Sequence, residues 1–378
     1  MAYDIYFDNA ATTRVRPEVL EEMLPFLQGS YGNPSGIYGA ARANKKAVDL
    51  ARERTAAAIN AYPDEIFFTG GGTEADNWAI KNARRGHVVT SAIEHHAVLH
   101  SCEYLQNNGQ CVTYLPADPF GLVYPEDVSD AIQPDATLVT LMFVNNEIGT
   151  ILPVKAVGAA AREKGALFHT DAVAAAGHVR IDVDAMNIDM LSLSAHKFYG
   201  PKGVGALYVR RGVDLTPLLH GGAQEQNRRA GTENVAGIVG LGKAIELAVS
   251  ELAEETKRIT KIRDAIIDGV LKTIPGSRLN GPRHNRSPNN ANFSFDLIEG
   301  EPLLQLLDFK GISVSSGSAC TAGSDEPSHV LLGIGLPVET ARGSLRVTIG
   351  RWNTMRDADI LLKELPPIVE KLRAMSPL

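Results

Sequence analysis

Lys197 ends the run DMLSLSAHK, where strand-like alternation of apolar and small polar residues gives way to a glycine turn, GPKG. An amine held at a strand end can be partly desolvated, which lowers its pKa and readies it to form a Schiff base with a carbonyl cofactor. Asp171 ends another strand-like run, ALFHTD. A carboxylate there could keep a pyridine nitrogen protonated and so make the ring an electron sink. His95, first of the pair in EHHAV, could lie flat against such a ring. The turn GGGT, Gly70 to Thr73, offers backbone amides and a helix N-terminus for a phosphate, and Thr73, Ser194 and His196 could add side-chain donors. Together these are the needs of pyridoxal phosphate. Taken singly, each has a plainer reading: an exposed loop lysine, a helix-capping aspartate, a structural histidine, an ordinary turn. Cys320 sits among small residues, Ser315-Ser316-Gly317-Ser318 before it and Thr321-Ala322-Gly323 after it. That context favours a mobile loop with an accessible thiol over a buried core cysteine.

Positioning such groups together requires strands whose carboxyl ends share one edge. The sequence supplies them. Between Glu65 and Arg210, short apolar runs alternate with helical stretches, which predicts a mostly parallel sheet with helices on both faces. In such sheets ligands bind beyond the carboxyl ends of the strands, where Thr73, His95, Asn146, Asp171 and Lys197 all fall. Upstream, residues 3–13 read as an extended arm, Pro17 starts a helix that Pro25 should kink or stop, and Thr73 is an expected N-cap. Downstream, residues 233–272 read as one long helical stretch into a smaller α+β unit. The expected division is a large domain at 16–254 and a small one from 1–15 with 255–378.

The chain has 378 residues, a net charge of −7 and 44% hydrophobic residues. This suits about two domains with large cores and gives no basic run for nucleic acid. The N-terminus shows no signal-peptide pattern, and no apolar stretch approaches the ~20 residues needed to cross a bilayer. A cytoplasmic protein is expected. Of three cysteines, Cys102 and Cys111 read as small buried hydrophobes, with no disulfide framework.

The chain resembles the cysteine desulfurases, the NifS/IscS-like group of the class V aminotransferase family. The matching stretches are FDNAATT, GNPSG, GGGTEADN, EHHAV, NNEIGT, HTDAV, SAHKFYGPKGVGALYVRR, RRAGTENV, SSGSACTAGSDEPSHVL and SLRVTIGR, in order from residue 7 to residue 351. The resemblance implies the aspartate aminotransferase-like α/β fold of pyridoxal-phosphate transferases, with a seven-stranded sheet in the large domain. It implies that Lys197 binds the cofactor aldehyde, Asp171 partners the ring nitrogen, and His95 stacks on the ring and carries the substrate thiol proton. It places Asn146 near the cofactor hydroxyl and substrate carboxylate. Gly72, Thr73, Ser194 and His196 fall at the phosphate, with Thr232 reaching the phosphate of a neighbouring subunit in a homodimer. Arg346 grips the substrate carboxylate with a bidentate fork, assisted by Asn33. Cys320 becomes the catalytic cysteine that takes sulfur from L-cysteine as a persulfide and passes it to an iron–sulfur scaffold or other acceptor. It is also a candidate transient ligand of an iron–sulfur cluster.

One departure stands out. The family's glutamine three residues after the aspartate, a hydrogen-bond donor to the cofactor's phenolic oxygen, is Ala174 here. Losing a hydrogen bond to a charged group costs about 1.5–3 kcal/mol, so an altered cofactor pKa is expected. Alternatives on the same fold are a selenocysteine lyase, a class V transaminase, and a sulfur-relay subunit with impaired activity.

Overall fold

The computed structural model describes residues 4–83, 86–316 and 327–376. Cys320 lies outside the described residues. The first strand, β1 (Ile5–Tyr6), belongs to the smaller unit. Seven strands then build one sheet: β2 (Ile66–Thr69), β3 (His87–Ser91), β4 (Val112–Leu115), β5 (Ala136–Thr140), β6 (Leu167–Asp171), β7 (Met190–Ser194) and β8 (Gly205–Val209). Their order is β2-β8-β7-β6-β5-β3-β4. The pairs from β7 to β4 are parallel, while β8 runs antiparallel between β2 and β7. The expected mostly parallel, seven-stranded sheet is therefore present.

Side chains alternate along each strand and feed two cores. Phe68, Val89, Val139, Leu191 and Leu193 enter one. Phe67, Val88, Leu138 and Met190 enter the other. Burial on both faces is what a helix-covered parallel sheet requires. It explains why these strands read as nearly continuous apolar runs.

Helix α1 (Pro17–Gln28) passes through Pro25 and ends normally, with Gly29 and Ser30 both donating to the Pro25 carbonyl at 3.0 and 2.8 Å. Pro25 does not stop it: the proline forfeits only its own bond, to the Glu21 carbonyl, and the helix continues to Gln28. After α2 (Gly39–Ala58) and β2 comes α3 (Gly72–Lys81), and after β3 comes α4 (His96–Asn107). Trp78 anchors α3: its ring meets Phe67 edge-on at 5.9 Å, and its indole N–H donates to Thr216 O at 2.7 Å. Such a ring pair adds about 0.5–1.5 kcal/mol beyond burial. The long helical stretch is two helices, Val235–Ser250 and Leu252–Thr273, divided at Glu251. Glu251 accepts from Arg16 and Arg351, a tie between distant segments.

The smaller unit carries β9 (Ser277–Leu279), β10 (Asn290–Phe295), β11 (Ile312–Ser313) and β12 (Ser344–Thr348). β12-β10-β9 is an antiparallel sheet, and β11 pairs with β1 in parallel. Ile5 and Phe7 join Ile266, Phe293, Phe295, Leu345 and Leu365 in a core separate from those of the large sheet. Cys102 is buried as expected, but Cys111 is exposed. It precedes β4, the edge strand, where neither face is fully covered.

Candidate functional site

The parallel strands bring their carboxyl ends to one edge, and a cavity of about 370 Å³ opens there. Nine of the candidate residues line it: Gly72, Thr73, His95, Asn146, Asp171, Ser194, His196, Lys197 and Arg346. Ala174 lines it too. Asn33 and Thr232 are exposed and absent from this lining. His96 turns away, its ring 5.1 Å from His100 and 4.6 Å from His329.

Lys197 closes a single 3₁₀ turn, Ala195–Lys197, directly after β7. Its Nζ donates to the carbonyl oxygens of Ala10 and, at 3.0 Å, Ala11. The same N-terminal arm makes three further contacts, to His196 and Arg346. Thr12 Oγ1 lies 3.2 Å from His196 Nδ1, Thr13 donates to the His196 carbonyl, and Asp8 pairs with Arg346 at 2.9 Å. The arm was legible as extended; its role as a strap across the lysine was not.

Asp171 ends β6, and its Oδ1 accepts from the Val173 N–H at 2.9 Å. Burial raises its pKa, while that N–H and the charge of Lys197 pull it back. His95 is the N-cap of α4, its Nδ1 accepting from Ala97 N–H at 3.1 Å. Burial, then the charge of Lys197, hold it down to about 4. It is neutral near pH 7, with its proton on Nε2.

The other end of the cavity is the turn between β2 and α3. The helix is capped by Gly71 at φ +154°, not by Thr73, which stands inside the first turn. Only glycine adopts that backbone angle readily, so the cap moves upstream of the expected threonine. A Cβ on Gly72 would come within 2.6 Å of Val173 Cγ2 and 3.4 Å of Ser194 Cβ, so this turn packs directly on the β6 and β7 ends. The α3 dipole and first N–H groups favour an anion here.

Arg346 on β12 is 3% exposed. Besides Asp8 it meets the Asn146 carbonyl at 3.3 Å, and its Nε has no hydrogen-bond partner. That unspent donor suits a bound carboxylate.

Asp76 lines the cavity as well, unforeseen in the sequence. The signal was there: Gly72, Ala75, Asp76, Ala79 and Ile80 form the buried stripe of α3, so a carboxylate stands among core residues. Donor atoms of Asp76, His95 and Asp171 lie within 4.8 Å of one another. A cation could bridge that spacing, but the lysine amine and the anion cradle in the same cavity have no part in a metal site. The arrangement suits a ligand with a cationic ring at one end, an anionic group at the other and a carbonyl within reach of an amine.

The model of the class-V aminotransferases matches residues 5–361. A cysteine desulfurase IscS of Methanosarcina thermophila is 56% identical over 99% of this chain and 94% of its own. Among solved structures, a NifS-like protein superposes with a TM-score of 0.92 at 39% identity, covering 98% of this chain and all of its own. SspA in complex with cysteine superposes at 0.82 with 40% identity, over 93% of this chain and all of its own.

Proposed function

The chain belongs to the class-V aminotransferase family, and from that premise we propose how its cavity performs the cysteine desulfurase reaction. The function is conversion of L-cysteine and the Cys320 thiol to L-alanine and a persulfide, Cys320–S–SH. The observation that carries the assignment of residues is the convergence of Lys197, Asp171 and the Gly72–Thr73 turn on one cavity.

We assign that cavity to pyridoxal phosphate. The residues fit it. A buried acid end, a lysine and a glycine turn packed on the strand ends match its ring nitrogen, aldehyde and phosphate. When bound, it supplies an electrophilic aldehyde and an electron-accepting ring. Lys197 Nζ would bind the aldehyde, and the same amine is placed to serve as the base for the substrate Cα proton. Asp171 would hold the ring nitrogen protonated. Gly72, Thr73, Ser194 and His196 receive the phosphate.

Arg346 receives the substrate carboxylate with the donors that Asp8 and Asn146 leave over. His95, its Nδ1 engaged by Ala97, presents Nε2–H to the cavity and so stabilises the substrate sulfur as a thiolate. Taking the thiol proton itself requires the other tautomer, in which the Ala97 N–H loses its acceptor. Cys320 attacks that sulfur, the C–S bond breaks, and a proton at carbon completes alanine.

In this reading Thr232 reaches the phosphate of a neighbouring subunit in a homodimer, and Asn33 assists Arg346 at the substrate carboxylate. Both are exposed, and Asn33 shares its loop with Tyr31 and Ile37, 89% and 91% exposed. Apolar side chains so bare suit burial against a second copy. The separate core of Ile5, Phe7 and residues 259–369 supports dividing the chain into 16–254 and 1–15 with 255–378. Transfer of the Cys320 sulfur to an iron–sulfur scaffold is the downstream step we assign. No helix among the described residues is long and apolar enough to cross a membrane.

The test is to add L-cysteine to the purified protein, measure alanine, and weigh the intact chain. Alanine together with one extra sulfur on Cys320 is expected, and Cys320→Ala should retain cofactor and substrate binding while losing turnover. Full cysteine turnover by Cys320→Ala would overturn the role given to that thiol.

A further inference from the structure

The buried carboxyl groups at and behind the cavity floor outnumber what a single ring nitrogen can use. Asp171 is one. Glu94, fully buried, accepts from Ser91 Oγ at 2.6 Å and from Met142 N–H at 2.9 Å, and burial pushes it up to about 8. Asp76 is the third, 1% exposed, with its Oδ1 unpartnered.

The groups around Asp76 come from three elements. From β6, Asp171 stands within 4.8 Å and His169 Nε2 lies 3.7 Å from Oδ1. From β7, the Ser192 hydroxyl bonds the carboxyl. From the turn before α4 come His95 and, farther off, Glu94. Neither histidine is a cation near neutral pH: burial holds His169 down to about 3 and His95 to about 4. The charge of Lys197 acts on Asp171 and His95. Ionised Asp76 would therefore place a second negative charge beside Asp171, with one oxygen unsatisfied and only a hydroxyl in support. Both conditions favour the acid form, and burial and Asp171 push its pKa upward accordingly.

We propose that Asp76 is a positioning residue that stays protonated beneath the cavity, so that Asp171 alone carries the full negative charge offered to the ring nitrogen. The polar chain beyond it is compatible with this. Asp76 can give its proton to Ser192, whose hydroxyl lies 3.0 Å from His169 Nε2, and His169 Nδ1 lies 2.8 Å from Thr140 Oγ1. With a neutral Asp76 every member of that chain is neutral. The floor then matches one positive charge, as a pyridinium carries, and is unsuited to a doubly charged cation.

The part played toward the ring nitrogen rests on the cofactor reading above; the proton on Asp76 does not. The first measurement is accordingly made without cofactor. Infrared spectra near neutral pH should show a protonated carboxylic acid C=O band that Asp76→Asn removes, with Glu94→Gln removing the band of the other buried acid. Loss of a carboxylate band instead would overturn the proposal. If Asp76→Asn fails to fold, carbon-13-labelled aspartate in the unsubstituted protein reports the same band. The second measurement is the affinity of the apo-protein for pyridoxal phosphate. Asn mimics a neutral acid, so Asp76→Asn should change the dissociation constant about threefold or less, while Asp171→Asn should weaken it roughly 10- to 100-fold. Equal losses in the two variants would overturn it. Failure of the unsubstituted protein to bind pyridoxal phosphate would instead overturn the cofactor reading and leave the infrared result standing.

Discussion

The two ends of the cavity are built from opposite chemistry. At the floor stand Asp76 and Asp171, both buried, with Glu94 buried farther off and the neutral His95 and His169 close by. At the mouth, Gly70, Gly71, Gly72, Thr73, Ser194 and His196 border a wider opening of about 680 Å³. The one carboxylate there, Glu74, is spent on Arg229 at 2.8 Å and on the Gly70 N–H at 2.7 Å. One end attracts positive charge and the other offers N–H and O–H donors. A single helix serves both: α3 opens with Gly72 and Thr73 at the mouth and turns Asp76 to the floor one turn later. The difference suits a dipolar ligand, one that the two ends can orient before any covalent bond forms.

Lys197 joins the two ends, and removing it has the largest expected effect. Lys197→Ala should abolish the borohydride-reducible link to the cofactor and all turnover, while the dipolar cavity still captures the cofactor noncovalently. A reducible link that persists in the variant would assign the amine elsewhere. If noncovalent binding also vanished, the two ends would not suffice to orient the ligand, and the contrast between them would lose its meaning. Because Nζ also ties down Ala10 and Ala11, the melting temperature should be measured alongside, to separate loss of chemistry from loosening of the arm.

The mouth can be weakened alone. Thr73→Ala removes one hydroxyl and leaves the backbone amides, so it should cost about 1.5–3 kcal/mol of cofactor affinity, roughly 10- to 150-fold. The ring-nitrogen environment should stay as it was, so the absorption maximum of bound cofactor should not move. An unchanged dissociation constant would mean that the amides of α3 and the other donors hold the phosphate without this hydroxyl.

Much of this site was legible because parallel strands impose a rule: polar residues at strand ends meet at one edge. Asp171 and Lys197 end or directly follow strands, and His95 and Thr73 open the helices that follow them, so reading the strands located all four. What escaped came from elsewhere in the chain. Ala10 and Ala11 reach the cavity, and Asp8 its Arg346, through the arm, held by pairing of β1 with β11 and a bridge from Asp8 to Thr348, contacts more than 300 residues apart in sequence. No local pattern announces such pairing. Asp76 escaped for a different reason. A helical reading of GTEADNWAIK without its buried stripe treats every carboxylate as solvent-facing, whereas the 3.6-residue period places this one inward. The N-cap moved to Gly71 because backbone angle outweighed side-chain preference at a turn pressed against two strand ends.

Ala174 is the smallest and most discriminating probe of the contrast between the ends, since it lies at neither. It follows Asp171 by three residues and lines the cavity beside Val144, Asn146 and Lys197. Its methyl group donates nothing. A glutamine there could donate to the ligand's phenolic oxygen, which lies near the amine rather than near the floor or mouth. Stabilising the oxyanion favours the deprotonated form of the nearby nitrogen–oxygen pair, so the pH at which the bound cofactor changes colour should fall in Ala174→Gln. Cofactor affinity should change little, because neither charged end is touched. An unchanged spectral titration would show that Asn146 or solvent already satisfies that oxygen in the natural chain. The absence of the glutamine would then be a neutral difference, and tuning of the cofactor would rest on the floor alone.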